Sequence, residues 1–406
     1  MTGGTISIKA SGPDRHRIFT RQNQQLISLF VCNFVIYFIG AGLMPILPLY
    51  AMEFGATATG AGLYMAFIFL SITVGTLLTG WLADRLTRKG LFIGAGLVGI
   101  PTLVLLGQAT ALWQVVSLTA IVWFSAGVGI ALVNILTGLS AGDKSRGKLF
   151  GLMFLAFPCA AMLAGIVIGQ LLAWQGYGLM FAALAVVWAA WPVLGLFWLK
   201  DRPASAPGPV VPVSTGGSSP LMRTFTILLV VAVLSETAIT IGRLGTSLSM
   251  QALNFSPGAI ASTTTAGGLV MIPLTLLVGT LSDRLGRKGF LIAGYLLIAG
   301  GILMLMLATR LWHFWLASIL LFMAMPANGS VAVAFATDLL DQETLSRRLP
   351  WLNAMIWIAG IIGFAGAGFI MDTLGTGSLY LGGVALPIVA VILLTMTSYS
   401  RSKSGR

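Results

Sequence analysis

Charge is scarce in this sequence. Asp, Glu, Lys and Arg make up only 8% of its 406 residues while 57% are hydrophobic, so the chain has far too little polar surface to solvate a globule of this size. That excludes a water-soluble fold. Cysteine and histidine are rarer still, at two each. Cys32 and Cys159 both fall in apolar runs, which argues against a stabilising disulfide. His16 lies in a basic segment near the start and His313 at the edge of an apolar run, so no metal-ligand cluster can be assembled from them. With no nucleophile–base pair, phosphate loop or metal cluster, nothing points to an enzyme or a cofactor. No cleavable signal peptide is expected either: the first apolar run is too long for an h-region and nothing resembling a cleavage site follows it.

What the chain has in quantity is long apolar runs, each about 20 residues or more, enough to cross a hydrocarbon core about 30 Å thick as helices. Twelve are expected, at about 26–50, 60–83, 90–109, 113–139, 149–173, 177–199, 224–246, 260–281, 289–308, 312–338, 350–371 and 377–398, with edges good to about 2–4 residues. A net charge of +12 would suggest nucleic acid in a soluble protein, but here its placement decides. Of the 23 basic residues, all but Arg243 and Arg310 lie in the two terminal segments or in the even-numbered connections. That bias places both termini and those connections in the cytoplasm of a multi-pass protein of the cell (inner) membrane.

The chain also repeats itself. GWLADRLTRKG (Gly80–Gly90) and GTLSDRLGRKG (Gly279–Gly289) share eight of eleven residues, each between the second and third spans of a six-span half. Between the halves, DRPASAPGPVVPVSTGGSSP (Asp201–Pro220) is rich in Pro, Gly and Ser and reads as a flexible linker. The expected organisation is an N-terminal six-helix half over 1–199, a cytoplasmic linker over 200–223 and a C-terminal six-helix half over 224–406.

On these features the sequence resembles the major facilitator superfamily, whose cytoplasmic G-x-L-a-D-R-x-G-R-K motif stands in both halves. The resemblance covers nearly the whole chain. It implies an all-α integral membrane protein, twelve transmembrane helices in two six-helix pseudo-repeats, and transport by alternating access. It also implies a conformational gate at Gly80, Asp84, Arg85 and Arg88, repeated at Gly279, Asp283, Arg284 and Arg287. Asp84 would accept from the N-terminus of a neighbouring helix while the basic residues meet lipid phosphates or acidic partners. That contact is expected to hold one access state and break in the other. Thr87 replaces the motif glycine in the first copy, which is expected to stiffen the turn, whereas the second copy keeps Gly286. Read only as topology signals, the charges would explain the Arg and Lys but not the repeated Gly and Asp.

A second likeness is narrower. FIGAGLMPILPLY (Phe38–Tyr50) is similar to the first-span pattern of twelve-span drug:proton antiporters, with Gly40, Pro45 and Pro48 in place; prolines near a span's end break its hydrogen bonding and let it bend. Two departures run the other way. Trp123 stands where the antiporters' fourth-span arginine would be, and Ile166 stands in place of a fifth-span proline, although the small-residue face Gly165/Gly169 survives.

VVAVLSETAITIGRLG (Val230–Gly245) carries a glutamate and an arginine in a run otherwise apolar enough for lipid. Both cost free energy wherever water is absent, so function or packing must offset them. The resemblance puts this seventh span on a central cavity with the first, fourth and tenth. Glu236 lies about 18 Å of helix rise from the cytoplasmic end, near the midplane, and Arg243 about 10 Å further out on the same face. Glu236 is the only acid deep in any span. A carboxyl moved between water and apolar surroundings changes its proton affinity, as a proton coupler requires. The other reading is a buried glutamate paired for helix packing, and Arg243 can also snorkel to water. Asn33, Tyr37, Asn134, Asn328 and Trp357 either bind solute or hydrogen-bond another helix; for a lone asparagine the packing reading carries more weight. Trp123 offers a stacking surface and removes a positive charge.

The function expected is proton-coupled export of lipophilic small molecules, with Glu236 as coupling residue and Asn33, Tyr37, Trp123, Asn134, Glu236, Arg243, Asn328 and Trp357 as candidate solute contacts. An importer or uniporter of a small metabolite stands beside it, and a membrane-embedded enzyme or sensor behind both. The partners expected are a small-molecule solute, the proton and membrane lipid, not nucleic acid, with the chain acting as a monomer.

Overall fold

In a computed structural model, residues 21–140, 146–199, 220–340 and 342–397 are described, and those residues are helical throughout apart from short connections. Helix is the form lipid demands, since each backbone N–H and C=O must find its partner inside its own segment. The helices run α1 (Arg21–Leu43), α2 (Leu47–Glu53), α3 (Ala58–Arg85), α4 (Arg88–Leu106), α5 (Leu112–Ser140), α6 (Arg146–Trp198), α7 (Pro220–Ala252), α8 (Pro257–Leu285), α9 (Arg287–Met306), α10 (Leu311–Pro326), α11 (Ala332–Leu339) and α12 (Gln342–Thr395), with a π-helical turn, Ala327–Val331, between α10 and α11.

Among the described residues, ten helices rather than the expected twelve are long and apolar enough to cross a membrane. The difference lies in α6 and α12, of 53 and 54 residues. Each would be about 80 Å long if straight, more than two membrane crossings. Each is broken instead: α6 at Gln175 and Gly176, the latter at φ 72°, and α12 at Gly375, at φ 81°. Only glycine enters that region at no steric cost, and it lets the chain reverse with almost no loop. Split there, α6 and α12 supply the expected fifth, sixth, eleventh and twelfth spans.

Local signals set the other ends. Pro48 opens α2 one turn after α1 stops, so the first span bends where Pro45 and Pro48 interrupt its hydrogen bonds. Thr57, Thr87 and Ser256 cap α3, α4 and α8, each hydroxyl accepting from the N–H three residues on. Thr87 sits at φ −65°, so the first motif copy needs no glycine; Gly286, at φ 77°, uses the freedom Thr87 forgoes. Cys32 and Cys159 are free.

The two halves show the duplication in their contacts. Lys89 donates to the Leu196 carbonyl near the end of α6 at 2.8 Å, and Lys288 donates to the Thr395 carbonyl near the end of α12 at 3.2 Å. Both partners are displaced by the same 199 positions as the motif itself. A lysine closing the last carbonyls of a helix also suits the negative end of its dipole.

The halves meet along two seams. At the end of the bundle opposite the motif, called the far end, α3 packs on α12 and α6 packs on α8. A Cβ on Gly62 would strike the Phe364 carbonyl, one on Gly368 the Ala58 carbonyl, and one on Gly165 the Ala261 carbonyl; Gly169 faces Gly258. The small-residue face expected at Gly165/Gly169 therefore lies between the halves, where backbones approach too closely for side chains.

Candidate functional site

Glu236 is 9% exposed on the inner side of α7, and its Oε2 accepts from Asn328 Nδ2 at 3.2 Å. The amide is fixed in turn, because the Ser235 hydroxyl donates to Asn328 Oδ1 at 2.8 Å. Asn328 reaches this position from the π-helical turn that follows Pro326. A π-helical turn holds more residues than an α-helical one, so it changes the face on which Asn328 stands relative to α10.

Nearly two turns along α7, Arg243 Nη2 lies 3.3 Å from the Met325 thioether. The ion pairs among the described residues are Arg287–Asp283 and Arg287–Asp338, so Arg243 holds no carboxylate, Glu236 included. Met325 packs with Phe157 and Ala41 against Ala161, Met271 and Phe322, a small apolar cluster drawn from both halves. Within it the Phe157 and Phe322 rings stack at 6.2 Å, and Tyr37 meets Phe157 edge-on at 5.3 Å. A line of contacts thus runs from Tyr37 in the first half to Arg243 in the second.

The other expected site residues fall elsewhere. Asn33 is buried and donates to the Met153 carbonyl at 3.1 Å, joining α1 to α6. Trp123 is 3% exposed in the core of the first half, and Asn134 is exposed near the end of α5. Trp357 lies on the α3–α12 seam, 5.8 Å from Phe69, which also packs on Phe364 at 5.0 Å. Glu236 is paired with Asn328, and Tyr37 is linked to Arg243 through Phe157, Phe322 and Met325; Asn33, Trp123, Asn134 and Trp357 belong to neither set.

A family model described as Major Facilitator Superfamily matches residues 29–234 and 222–406, one match to each half. The chain belongs to that superfamily. It is a multi-pass membrane transporter. "Multidrug resistance protein MdtG" of Serratia proteamaculans is 27% identical over 77% of this chain and 79% of its own length. The protein of the same name from Proteus mirabilis is 26% identical over 80% and 83%. Among solved structures, a variant of the nucleoside transporter NupG shares the fold at TM-score 0.75 and 11% identity, over 92% of this chain and 100% of its own. A variant of the peptide transporter POT bound to alafosfalin shares it at 0.72 and 14%, over 93% and 98%.

The superfamily motif takes different forms in the two halves. In the second, Arg287 bridges Asp283 at 3.0 Å and Asp338 at 3.5 Å and also donates to the Ser282 hydroxyl. Arg284 and Gly279 are exposed. In the first, Arg85 lies 4.0 Å above the Trp81 ring, Gly80 is exposed, and Arg88 Nη1 is buried without a hydrogen-bond partner among the described residues. The Asp84 side chain falls outside the described residues. Leu139 occupies the repeat position of Asp338, so the second carboxylate has no equivalent in the first copy.

One contact of the transporter was not foreseen from its sequence. Asp372, at the far end of the bundle just before the Gly375 break in α12, accepts from the Thr59 backbone N–H at 2.7 Å and so satisfies an N-terminal donor of α3 in the other half. The Thr59 hydroxyl adds a 3.5 Å contact to the Gly368 carbonyl. The readable signal was an acid at the end of a span; that it faced a helix N-terminus depended on tertiary packing.

Proposed function

We propose that the transporter exports lipophilic small molecules across the cell (inner) membrane in exchange for protons, as a monomer with both termini cytoplasmic. The observation that carries this reading is Glu236, a buried carboxyl on the inner side of α7 whose hydrogen-bond partner is a neutral amide. A carboxyl held by an amide can lose or gain its proton without breaking an ion pair, which suits a group that must change charge in each cycle. The MdtG relatives named as multidrug resistance proteins support the substrate class. The bias of basic residues supports the orientation, and exposed apolar residues such as Leu77, Trp113 and Val186 suit lipid on the outer surface.

Alternating access follows from the seams. With α3 on α12 and α6 on α8 at the far end, solute would enter and leave the cavity from the motif end, and the far-end seams must part for release outside. Solute flux in proteoliposomes, with and without an imposed pH gradient, tests the whole reading. Flux that ignores the gradient would favour uniport, in keeping with Trp123 at the antiporters' arginine position.

The gate motif gives a further expectation. Asp84→Asn should slow transport several-fold in protein that remains folded and inserted. Asp283→Asn should do less, because Arg287 keeps Asp338 and exposed ion pairs contribute only about 0–1 kcal/mol. Initial rates of the two variants, normalised to protein recovered from the membrane, check it. A larger loss in Asp283→Asn would make the second copy the stronger gate.

A further inference from the structure

Two opposite charges lie on one inner face of α7 without pairing with each other. Glu236 is held by the Asn328 amide, and Arg243 contacts the thioether of Met325. Removing the Glu236 carboxyl and much of the Arg243 guanidinium from water is costly unless something compensates. A mutual salt bridge would compensate both at once, yet none forms within 4.0 Å. Seven residues separate them, about 10 Å of helix rise. The wall beside Arg243 is apolar and aromatic: Met325 packs with Phe322, Phe322 stacks on Phe157, and Phe157 meets Tyr37.

We propose that this site recognises zwitterionic amphiphiles, with a cationic group at Glu236, an acidic group at Arg243 and an apolar or aromatic body against Phe157 and Phe322. The reading rests on the transporter function proposed above and narrows its substrate class. A purely cationic solute would satisfy Glu236 but leave Arg243 with its thioether and feel repulsion from the guanidinium. A purely anionic solute would meet the converse at Glu236. Only a solute bearing both charges brings an opposite charge into contact with both the buried Glu236 and the part-buried Arg243, and a carboxylate can use two N–H groups of the guanidinium fork at once. Arrival of the cation would also favour the ionised form of Glu236, so binding and proton release would be linked at one atom pair.

The probes are 4-(aminomethyl)benzoic acid, a rigid zwitterion with its charges at opposite ends of a ring, its methyl ester, which is cationic only, and its N-acetyl derivative, which is anionic only. Calorimetric titration of the full chain in detergent should show the zwitterion binding about tenfold or more tighter than either derivative, about 1.4 kcal/mol or more. Arg243→Gln should erase its advantage over the ester while keeping that over the N-acetyl compound. Glu236→Gln should do the reverse. Arg243→Lys keeps the charge and should keep part of the preference, which separates lost recognition from lost folding. Equal affinity for all three probes in the wild type, or no binding of the zwitterion, overturns the proposal and leaves the two charges as partners for each other in another access state. Failure of proton coupling would appear separately, as flux indifferent to a pH gradient with the charge preference intact.

Discussion

Glu236→Gln is expected to abolish accumulation driven by a pH gradient while leaving passive solute exchange in place. The substitution keeps nearly the same volume, and the Asn328 amide can donate to the glutamine carbonyl as it does to Oε2. The Ser235–Asn328 contact and the π-helical turn are untouched, so the variant should fold and insert. What it loses is the ability to exchange a proton. A gradient of one pH unit is worth about 1.4 kcal/mol per proton, so one-for-one exchange sustains about tenfold accumulation in the wild type; the variant should fall to about unity. Glu236→Asp keeps the titrating group but draws it back by one methylene, away from Asn328, and should work partly with a shifted pH dependence. Proteoliposome accumulation across imposed gradients is the measurement. A Glu236→Gln protein that responds to the gradient as the wild type does would make the glutamate a packing residue and move coupling elsewhere.

The parts of this architecture legible in the sequence are those fixed by solvent and by local chain chemistry. Apolar runs mark spans because lipid leaves a backbone no alternative to helix. The breaks at Gly176 and Gly375 fall between the expected fifth and sixth and the expected eleventh and twelfth spans, although such tight reversals leave ten continuous helices rather than twelve. The duplication was readable from the motif, and it extends to the Lys89 and Lys288 contacts. Glu236 was legible because a lone acid in an apolar span stands out against its cost. Its partner was not. Asn328 sat among several plausible asparagines, and only the turn after Pro326 selects it. The Phe157–Phe322 stack joins two halves far apart in sequence, so no local period announces it. Thr87, which replaces the motif glycine, is seen in the structure to cap α4 with its hydroxyl.

The seam between α3 and α12 is where a side chain added to one glycine should do most. Gly368 approaches the Ala58 carbonyl so closely that a Cβ there would collide with backbone, and no rotamer change can relieve that. Gly368→Val must therefore push the two helices apart at the far end. Overpacking of this kind costs about 1–3 kcal/mol, and here the cost falls on the far-closed state alone, because the two backbones separate when that end opens. Charged to one of two states, it corresponds to about a 5–150-fold shift of the equilibrium toward the far-open form. Separation would also remove the Asp372 contact to the Thr59 N–H, so Asp372→Asn should act in the same direction. Its effect should be smaller, since the amide oxygen still accepts while the charge that favours the helix N-terminus is gone. Spin labels at Glu53→Cys and Thr376→Cys, both exposed at the far end, in a background lacking Cys32 and Cys159, would report the distance. The expected result is a longer component, largest in Gly368→Val, together with slowed transport, because a cycle trapped on one side turns over less often. A wild-type distance distribution in folded Gly368→Val protein would mean that the seam yields locally and does not set the access equilibrium.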